Sequence, residues 1–425
     1  VSRGLGDVYK RQRTDNIMYW QIIHIIDILL WIFIAASVMY VAFFAIISII
    51  SSQAHQLRSH NSQFIMHNHG CALPTPQNKN YKLITNKYLI LFPAYNEDKV
   101  IVSSVKTFLQ QTYDSNLYHV VVISDHMRPE TNAALSHLPI TLLQPVFEKS
   151  SKAKAMQYAI ANTKENYDKI VILDADNIVE PSFLEQLNSL CNQGYRAIQC
   201  HRCAKNNNND IAALDGVSEE INNTLFRRAH NAVGLSSALI GSGMCFDYPW
   251  FAENVQKLST AGEDRELEAL LLKQNIFIKY AEHIHVYDEK VSNGENFQRQ
   301  RLRWMTAQIQ ALLSMLQYIP HAIITGNINY IDKTLQQAMI PRSILLVATL
   351  FFSIVISIIV PVWSFKWWML FVILVLSLII AIPARLRTRS LFGKSKSLLN
   401  LTFRMLRNTR HIKKDNKDFL HTDHG

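Results

Sequence analysis

The sequence predicts an α/β fold: a Rossmann-like, mostly parallel sheet flanked by helices, with one N-terminal and two C-terminal transmembrane helices. Three observations predict it. Short apolar runs alternate with amphipathic helical stretches through the middle of the 425-residue chain, the pattern of a parallel sheet covered on both faces. Three apolar segments are long enough to cross a bilayer. The positive charge is gathered behind the last of them, where a cytoplasmic membrane surface would hold it.

Taken in order, residues 1–17 read as a non-native leader, with Met18 a plausible true start. Residues 18–52 form the N-terminal transmembrane helix, since Ile28 to Ile50 contains no charged side chain. About 20 residues at roughly 1.5 Å rise cover the hydrocarbon layer. The run is too long for a cleavable signal and lacks a small-residue cleavage site. His24 and Asp27 are expected near its outer end, reaching the interface, and Trp20, Trp363, Trp367 and Trp368 in an aromatic belt. Residues 53–86, polar and holding Pro74 and Pro76, read as a linker.

The α/β domain follows over 87–300. Its expected strands are Tyr88 to Phe92, His119 to Ser124, Lys169 to Leu173 and Arg196 to Gln199. Helices are expected near Asp98 to Gln111, Ser151 to Thr163 and Pro181 to Asn192, with Asn206 to Asn209 in a loop. Residues 301–339 hold further helices, of which Met305 to Ile319 suits the membrane interface. Residues 340–384 read as a transmembrane hairpin, because Ile344 to Trp363 and Trp367 to Pro383 are separated only by Ser364, Phe365 and Lys366. Residues 385–425 are a basic tail.

The net charge of +10 is carried wholly between Arg385 and Lys414, where Lys and Arg occur without Asp or Glu. It is therefore a lipid-facing tail and not a nucleic-acid surface, for which aromatic interleaving is missing. An inside C-terminus and three spans put the long middle segment on the cytoplasmic side of a bacterial-type inner or plasma membrane. Five cysteines form no framework, which suits a reducing compartment. Cys200 and Cys203 make a lone CxxC, and with no second ligand pair in sequence no zinc site is expected there.

Ligands of open α/β sheets bind beyond the carboxyl ends of the strands. Here those ends are acidic: Pro93-Ala94-Tyr95-Asn96-Glu97 follows the first strand, Asp125 the second, and Asp174-Ala175-Asp176 the third. Two aspartates after one strand usually cap a helix. Three carboxylate-bearing strand ends in one crevice repel one another and call for a cation, for which Mg2+ or Mn2+ is the natural choice and would also bridge a diphosphate. Gly262-Glu263-Asp264 opens a helix from about Arg265 to Lys273, which both caps it and holds a carboxylate rigidly. Gln298 to Trp304 joins arginines to an indole, either as solvated arginines of an interface helix or as a clamp for phosphate and sugar.

Asp125, Asp174-x-Asp176, Gly262-Glu263-Asp264 and Gln300-x-x-Arg303-Trp304, in that order across Lys87 to Gln310, resemble the motifs of family-2 glycosyltransferases of the GT-A fold. The likeness is greatest to the membrane branch of processive synthases of cellulose, chitin, hyaluronan and poly-N-acetylglucosamine. The resemblance implies an inverting transferase using a nucleotide-sugar donor, of UDP type, in polysaccharide or oligosaccharide synthesis. It implies that Pro93, Ala94, Tyr95, Glu97, Asp125, Lys152, Asp174 and Asp176 bind the donor, Asp176 through the divalent cation. Asp264 would be the catalytic base, and Gly241, Ser242, Gly243, Glu263, Gln300, Arg303 and Trp304 would serve the pyrophosphate and the acceptor. Residues 301–339 would then lie on the acceptor side. Ser124-Asp125-His126 departs from the family's Asp-Asp-Gly, and Gly262 stands where threonine is common, so the donor stays open. Two alternatives also stay open: addition of a single sugar to a lipid-linked or glycolipid acceptor, and a non-catalytic synthase-like subunit. Expected partners are the donor, a glycan or lipid-linked acceptor, membrane lipids, and a homo-oligomer or export partner.

Overall fold

The computed structural model describes residues 2–68, 84–260, 262–291, 294–388 and 393, so the basic tail beyond Thr388 lies, but for Gly393, outside the described residues. The chain divides into two compact units, one joining the N-terminal helix up to Phe43 with Met339–Ile379, the other joining Phe44–Ala338 with the residues from Ile380.

Three helices among the described residues have membrane-spanning length and composition: Met18–Gln53 within the helix Ser2–Asn68, then Arg342–Ile359 and Pro361–Ala381. The hairpin breaks where Val360 turns extended and Pro361, lacking an N–H, opens the next helix. Asp27 does not reach for the interface as expected. It is buried, pairs with the Lys366 ammonium and accepts the Trp367 indole N–H at 2.8 Å. Trp31 donates to the Lys366 carbonyl at 3.2 Å. A carboxylate in an apolar span needs such partners, and Trp367 is therefore fully buried instead of standing in an aromatic belt. The first helix also runs through the start of the expected linker to Asn68, because no Gly or Pro stands between Gly6 and Gly70.

The second unit is built on eight strands: β1 (Tyr88–Tyr95), β2 (Tyr118–Asp125), β3 (Thr141–Leu143), β4 (Lys169–Ile172), β5 (Ile178–Val179), β6 (Ala197–Ala204), β7 (Met244–Asp247) and β8 (Ile278–Asp288). Their order is β3-β2-β1-β4-β7-β6-β8-β5. The pairs β3-β2, β2-β1, β1-β4 and β6-β8 are parallel, whereas β7 runs antiparallel to both neighbours and β5 antiparallel to β8. Continuous apolar strands arise because both faces are covered. Leu89 and Leu91 pack with Met156, Phe246 and Leu267 on one face. Ile90 and Phe92 pack with Phe108, Phe183 and Leu187 on the other.

The helices Ile101–Phe108, Lys152–Asn162 and Phe183–Asn192 form where sequence periodicity places them. Ser151 caps the second by accepting from the Lys154 N–H. Further along, Gly294–Leu316 buries the stripe Ala307, Ala311 and Met315, and Tyr330 of the helix Ile328–Ala338 donates to the Met315 carbonyl at 3.2 Å. Buried Lys333 and Glu268, 2.6 Å apart, tie that last helix to Glu263–Lys273. Because β1, β2 and β4 share a direction, their acidic ends emerge at one edge, where antiparallel β7 begins.

Candidate active site

Tyr95 and Asp125 are register partners at the ends of β1 and β2. Asp125 is buried, and His126 Nδ1 lies 2.5 Å from its carboxylate. His126 is held at φ 57°, a left-handed conformation. The position that holds glycine in the family motif thus makes the same backbone demand here, and the bond to Asp125 offsets part of the strain of a side chain there. The Tyr95 ring stands 5.4 Å from His126, and the Glu97 N–H donates to Met127 Sδ at 3.1 Å. Pro93 and Ala94 complete the β1 end opposite Ile123 and Ser124.

The acidic turn after β4 is internally braced. The Asp174 N–H donates to Asn177 Oδ1 at 2.9 Å. Buried Asp176 accepts from Asn177 Nδ2 at 3.1 Å and from the Glu289 N–H, just past β8, at 2.6 Å.

Lys152, the first residue of its helix, joins the separated motifs. Its ammonium donates to Asp174 and to the Gly241 carbonyl (2.8 Å), and lies 3.7 Å from Glu263 Oε1. Burial alone would lower the lysine's pKa, but Asp174, Glu263 and Asp264 outweigh it and hold it above its ordinary value. The ammonium thus places a positive charge between Asp174 and Glu263. Burial drives the Glu263 carboxyl up to about 7, against Lys152 and Arg303 and with Asp264. Asp264 accepts from the Arg265 N–H at 2.9 Å, fixed in the first turn of Glu263–Lys273.

Gly241, Ser242 and Gly243 lead into β7 beside the end of β4, and the Gly243 N–H donates to the Ile172 carbonyl at 2.9 Å. At Gly243, φ is 62° and a Cβ would lie 2.9 Å from Val286 Cγ2, so only glycine fits. Ser242 Oγ is buried without a hydrogen-bond partner. Gly262 answers the second departure from the family pattern. A Cβ there would stand 2.9 Å from Ala307 Cβ, so the helix carrying Arg303 approaches too closely for threonine.

Arg303 acts on Glu263 from the helix Gly294–Leu316. The Arg301 guanidinium lies 4.5 Å from the Trp304 ring centroid and 4.7 Å from that of Phe297. Arg301 is anchored in turn by buried Asp215. Gln300 Oε1 is buried and lacks a partner. The structure therefore gathers Lys152, Asp174, Gly241, Glu263 and Asp264, with Arg303 in electrostatic reach. It sets Pro93–Glu97 with Asp125 at the adjoining strand ends.

Sequence reasoning missed the buried ionic lattice behind the Asp174–Asp176 turn. Arg202 of β6 lies 3.4 Å from Asp288 and 3.2 Å from Glu219, and Arg227 is 2.9 Å from Glu219. Burial would raise the Glu219 carboxyl, but Arg202, Arg227 and Lys290 overcome that and hold it well below the carboxylate range. The only signal in sequence was the density of charge around β6 and the following helix, which reads equally as a solvated face.

A sheet of this topology, with acidic turns at its carboxyl edge, defines the GT-A class of transferase. The family model for Glycosyltransferase like family 2 matches residues 86–307, just over half of the chain, and the chain belongs to that family of enzymes. Comparison with curated proteins gives no match. Similar solved structures include the mannosyltransferase PcManGT from Pyrobaculum calidifontis in complex with GDP-Man and Mn2+, at 16% identity over 80% of this chain and 97% of that one, TM-score 0.45. S. aureus TarS 1-349 is 13% identical over 77% and 92%, TM-score 0.41. Glucosyl-3-phosphoglycerate synthase from Mycobacterium tuberculosis, with Mn2+, UDP and phosphoglyceric acid, is 17% identical over 54% and 78%, TM-score 0.39.

Proposed function

We propose that the protein is an inverting glycosyltransferase that takes a sugar from a nucleotide-sugar donor, of UDP type, in oligosaccharide or polysaccharide synthesis at the cytoplasmic face of a membrane. One observation carries the reading. Lys152 ties the Asp174–Asp176 turn, the Gly241–Gly243 entry and the Glu263-Asp264 helix into a single polar cluster at the sheet edge. These segments lie far apart in sequence, and no packing requirement for a buried lysine explains why all three meet.

In this reading Pro93, Ala94, Tyr95, Glu97 and Asp125 cradle the nucleoside. Lys152 and Arg303 supply positive charge for the diphosphate. Asp176, with Asp174, would hold Mg2+ or Mn2+, which binds through one or two carboxylates plus substrate phosphates and would neutralise charge on the leaving diphosphate. Asp264, rigid at a helix start, takes the acceptor hydroxyl proton as the acceptor oxygen bonds to the anomeric carbon and the nucleoside diphosphate departs. Gln300 Oε1 and Ser242 Oγ, both buried without partners, suit hydroxyls of a bound sugar. Asp264→Asn is expected to reduce transfer by at least about a hundredfold with donor affinity kept. Turnover near that of the parent enzyme would remove Asp264 from the role.

A second reading, single transfer to a lipid-linked acceptor, is favoured by the exposed apolar residues Ile309, Leu313, Leu316, Ile323 and Ile324, which suit a helix pair lying in a membrane interface. Incubation of the detergent-purified protein with a panel of radiolabelled nucleotide sugars, followed by product mass analysis, separates the two. A ladder supports synthesis of a polymer, and one lipid-linked monosaccharide supports the second. No transfer from any donor would leave a regulatory subunit.

A further inference from the structure

We propose that His201, Cys203 and His285 form a thiolate-imidazole metal site, suited to zinc, that clamps β6 to β8 away from the sugar-transfer centre. β6 and β8 run in parallel, and the bulge between Cys200 and His201 resets their register so that His201 lies opposite His285. His201 and Cys203, two residues apart, share a face of β6. One ligand atom from each of the three residues lies within 4.8 Å of the others.

The surroundings are those of a ligand set and not of a chance contact. His201 Nδ1 is 3.2 Å from the Glu282 carbonyl oxygen. A carbonyl can only accept, so Nδ1 carries a hydrogen; Nε2, which also faces an acceptor, is the nitrogen that would give up its proton to a metal. Metal-bound histidines are oriented by this kind of outer bond. Nε2 faces the Glu220 carboxylate at 3.2 Å, an acceptor beside the three ligands and not one of them. Arg385 also reaches that carboxylate, at 3.0 Å, and balances its charge. His201 and Cys203 are buried, whereas the His285 side chain is 32% exposed beside Glu180 and opens a path for an ion.

The donor chemistry selects the metal. Two imidazoles and a thiolate suit zinc or cobalt with a water in the fourth position, not the magnesium or manganese that oxygen ligands would hold at Asp176. With metal–nitrogen and metal–sulfur bonds of about 2.0 and 2.3 Å, tetrahedral edges come to roughly 3.3 Å between nitrogens and 3.5 Å from nitrogen to sulfur. From separations within 4.8 Å, the cluster reaches them by closing at most about 1.5 Å. The CxxC spacing is incidental, since Cys200 faces the apolar core; the third ligand, His285, comes from the neighbouring strand, where no sequence spacing reveals it.

The test uses the full chain in detergent, stripped by chelator and titrated with cobalt. Expected are thiolate-to-cobalt charge-transfer absorption, its loss on adding zinc, and a zinc-dependent rise in Tm. Cys203→Ser is expected to abolish the absorption, and Cys203→Ser and His285→Gln each to abolish the zinc response while melting with the metal-free parent. Cobalt at an all-oxygen site gives no such absorption, so failure of the sugar-transfer reading would not imitate failure of this one. Absence of the band in the parent, its persistence in Cys203→Ser, or an equal zinc response in the variants would overturn the proposal. Should Cys203→Ser not fold, the parent titration and His285→Gln decide the matter alone.

Discussion

Replacing Lys152 by Met tests whether the ammonium is the cation that the buried carboxylates require. The size of the effect depends on pH because Glu263 titrates in the folded enzyme at about 7, against an ordinary 4.5. Between those values the unfolded chain binds fewer protons than the native one, so the Glu263 contribution is present in full below pH 4.5 and lost as pH rises through 7. The parent limits that loss by pairing the ionised carboxylate with Lys152, 3.7 Å away. At pH 5.5 Glu263 is neutral in both proteins, and Lys152→Met removes chiefly the charge-assisted bonds to Asp174 and the Gly241 carbonyl, about 2 kcal/mol. At pH 8.5 the variant must in addition bury an unpaired carboxylate or take up a proton against the solution pH, costing about 3 kcal/mol more. At roughly 2 °C per kcal/mol for a unit of this size, the Tm deficit should grow from about 4 °C to about 10 °C. Intrinsic tryptophan fluorescence during heating in detergent reads both values. An equal deficit at the two pH values would refute the reasoning, because it would mean that Glu263 does not depend on the lysine.

Three further outcomes are expected. Gly262→Thr should cost about 1–3 kcal/mol by overpacking against Ala307, and Ala307→Gly should recover part of it; simply additive losses in Tm would show that the two do not touch. His126→Gly exchanges left-handed strain of about 1 kcal/mol for the lost bond to Asp125, so its Tm should stay near that of the parent while donor KM rises; a Tm fall of several degrees would mean that the imidazole is the larger contributor. Glu219→Gln should destabilise by about 3 kcal/mol at neutral pH by leaving Arg202 and Arg227 underpaired. Because the Glu219 carboxyl is held below its ordinary range, its contribution exists above pH 4.5 and is lost on acidification, so variant and parent melting curves should converge as pH falls.

What could be read from sequence divides along a physical line. Strands β1, β2 and β4 were legible because burial on both faces makes them unbroken apolar runs, and their acidic ends were legible because the same chemistry recurs after each of the three runs. β8 was not, since Ile278–Asp288 mixes Lys, Glu and His into a strand whose polar side chains meet charges from other elements. β7 was missed for a different reason: four residues bounded by an antiparallel return carry no period. The same division holds within the site. Asp174, Asp176 and Asp264 announce themselves by type and place. That one lysine neutralises the cluster, that Arg301 covers a face of Trp304, and that Gly262 is small because Ala307 leaves no room are facts of tertiary distance. Both departures from the family pattern are explained at this level, one by a left-handed backbone and one by a helix approach. The backbone demand at position 126 is met here by histidine, so sequence divergence at the motif does not by itself signal divergence in geometry. Glycine at 262 differs in kind: it lets the Arg303 helix sit closer to Glu263, so the helix spacing and the electrostatics of the site are set by the same missing methyl group.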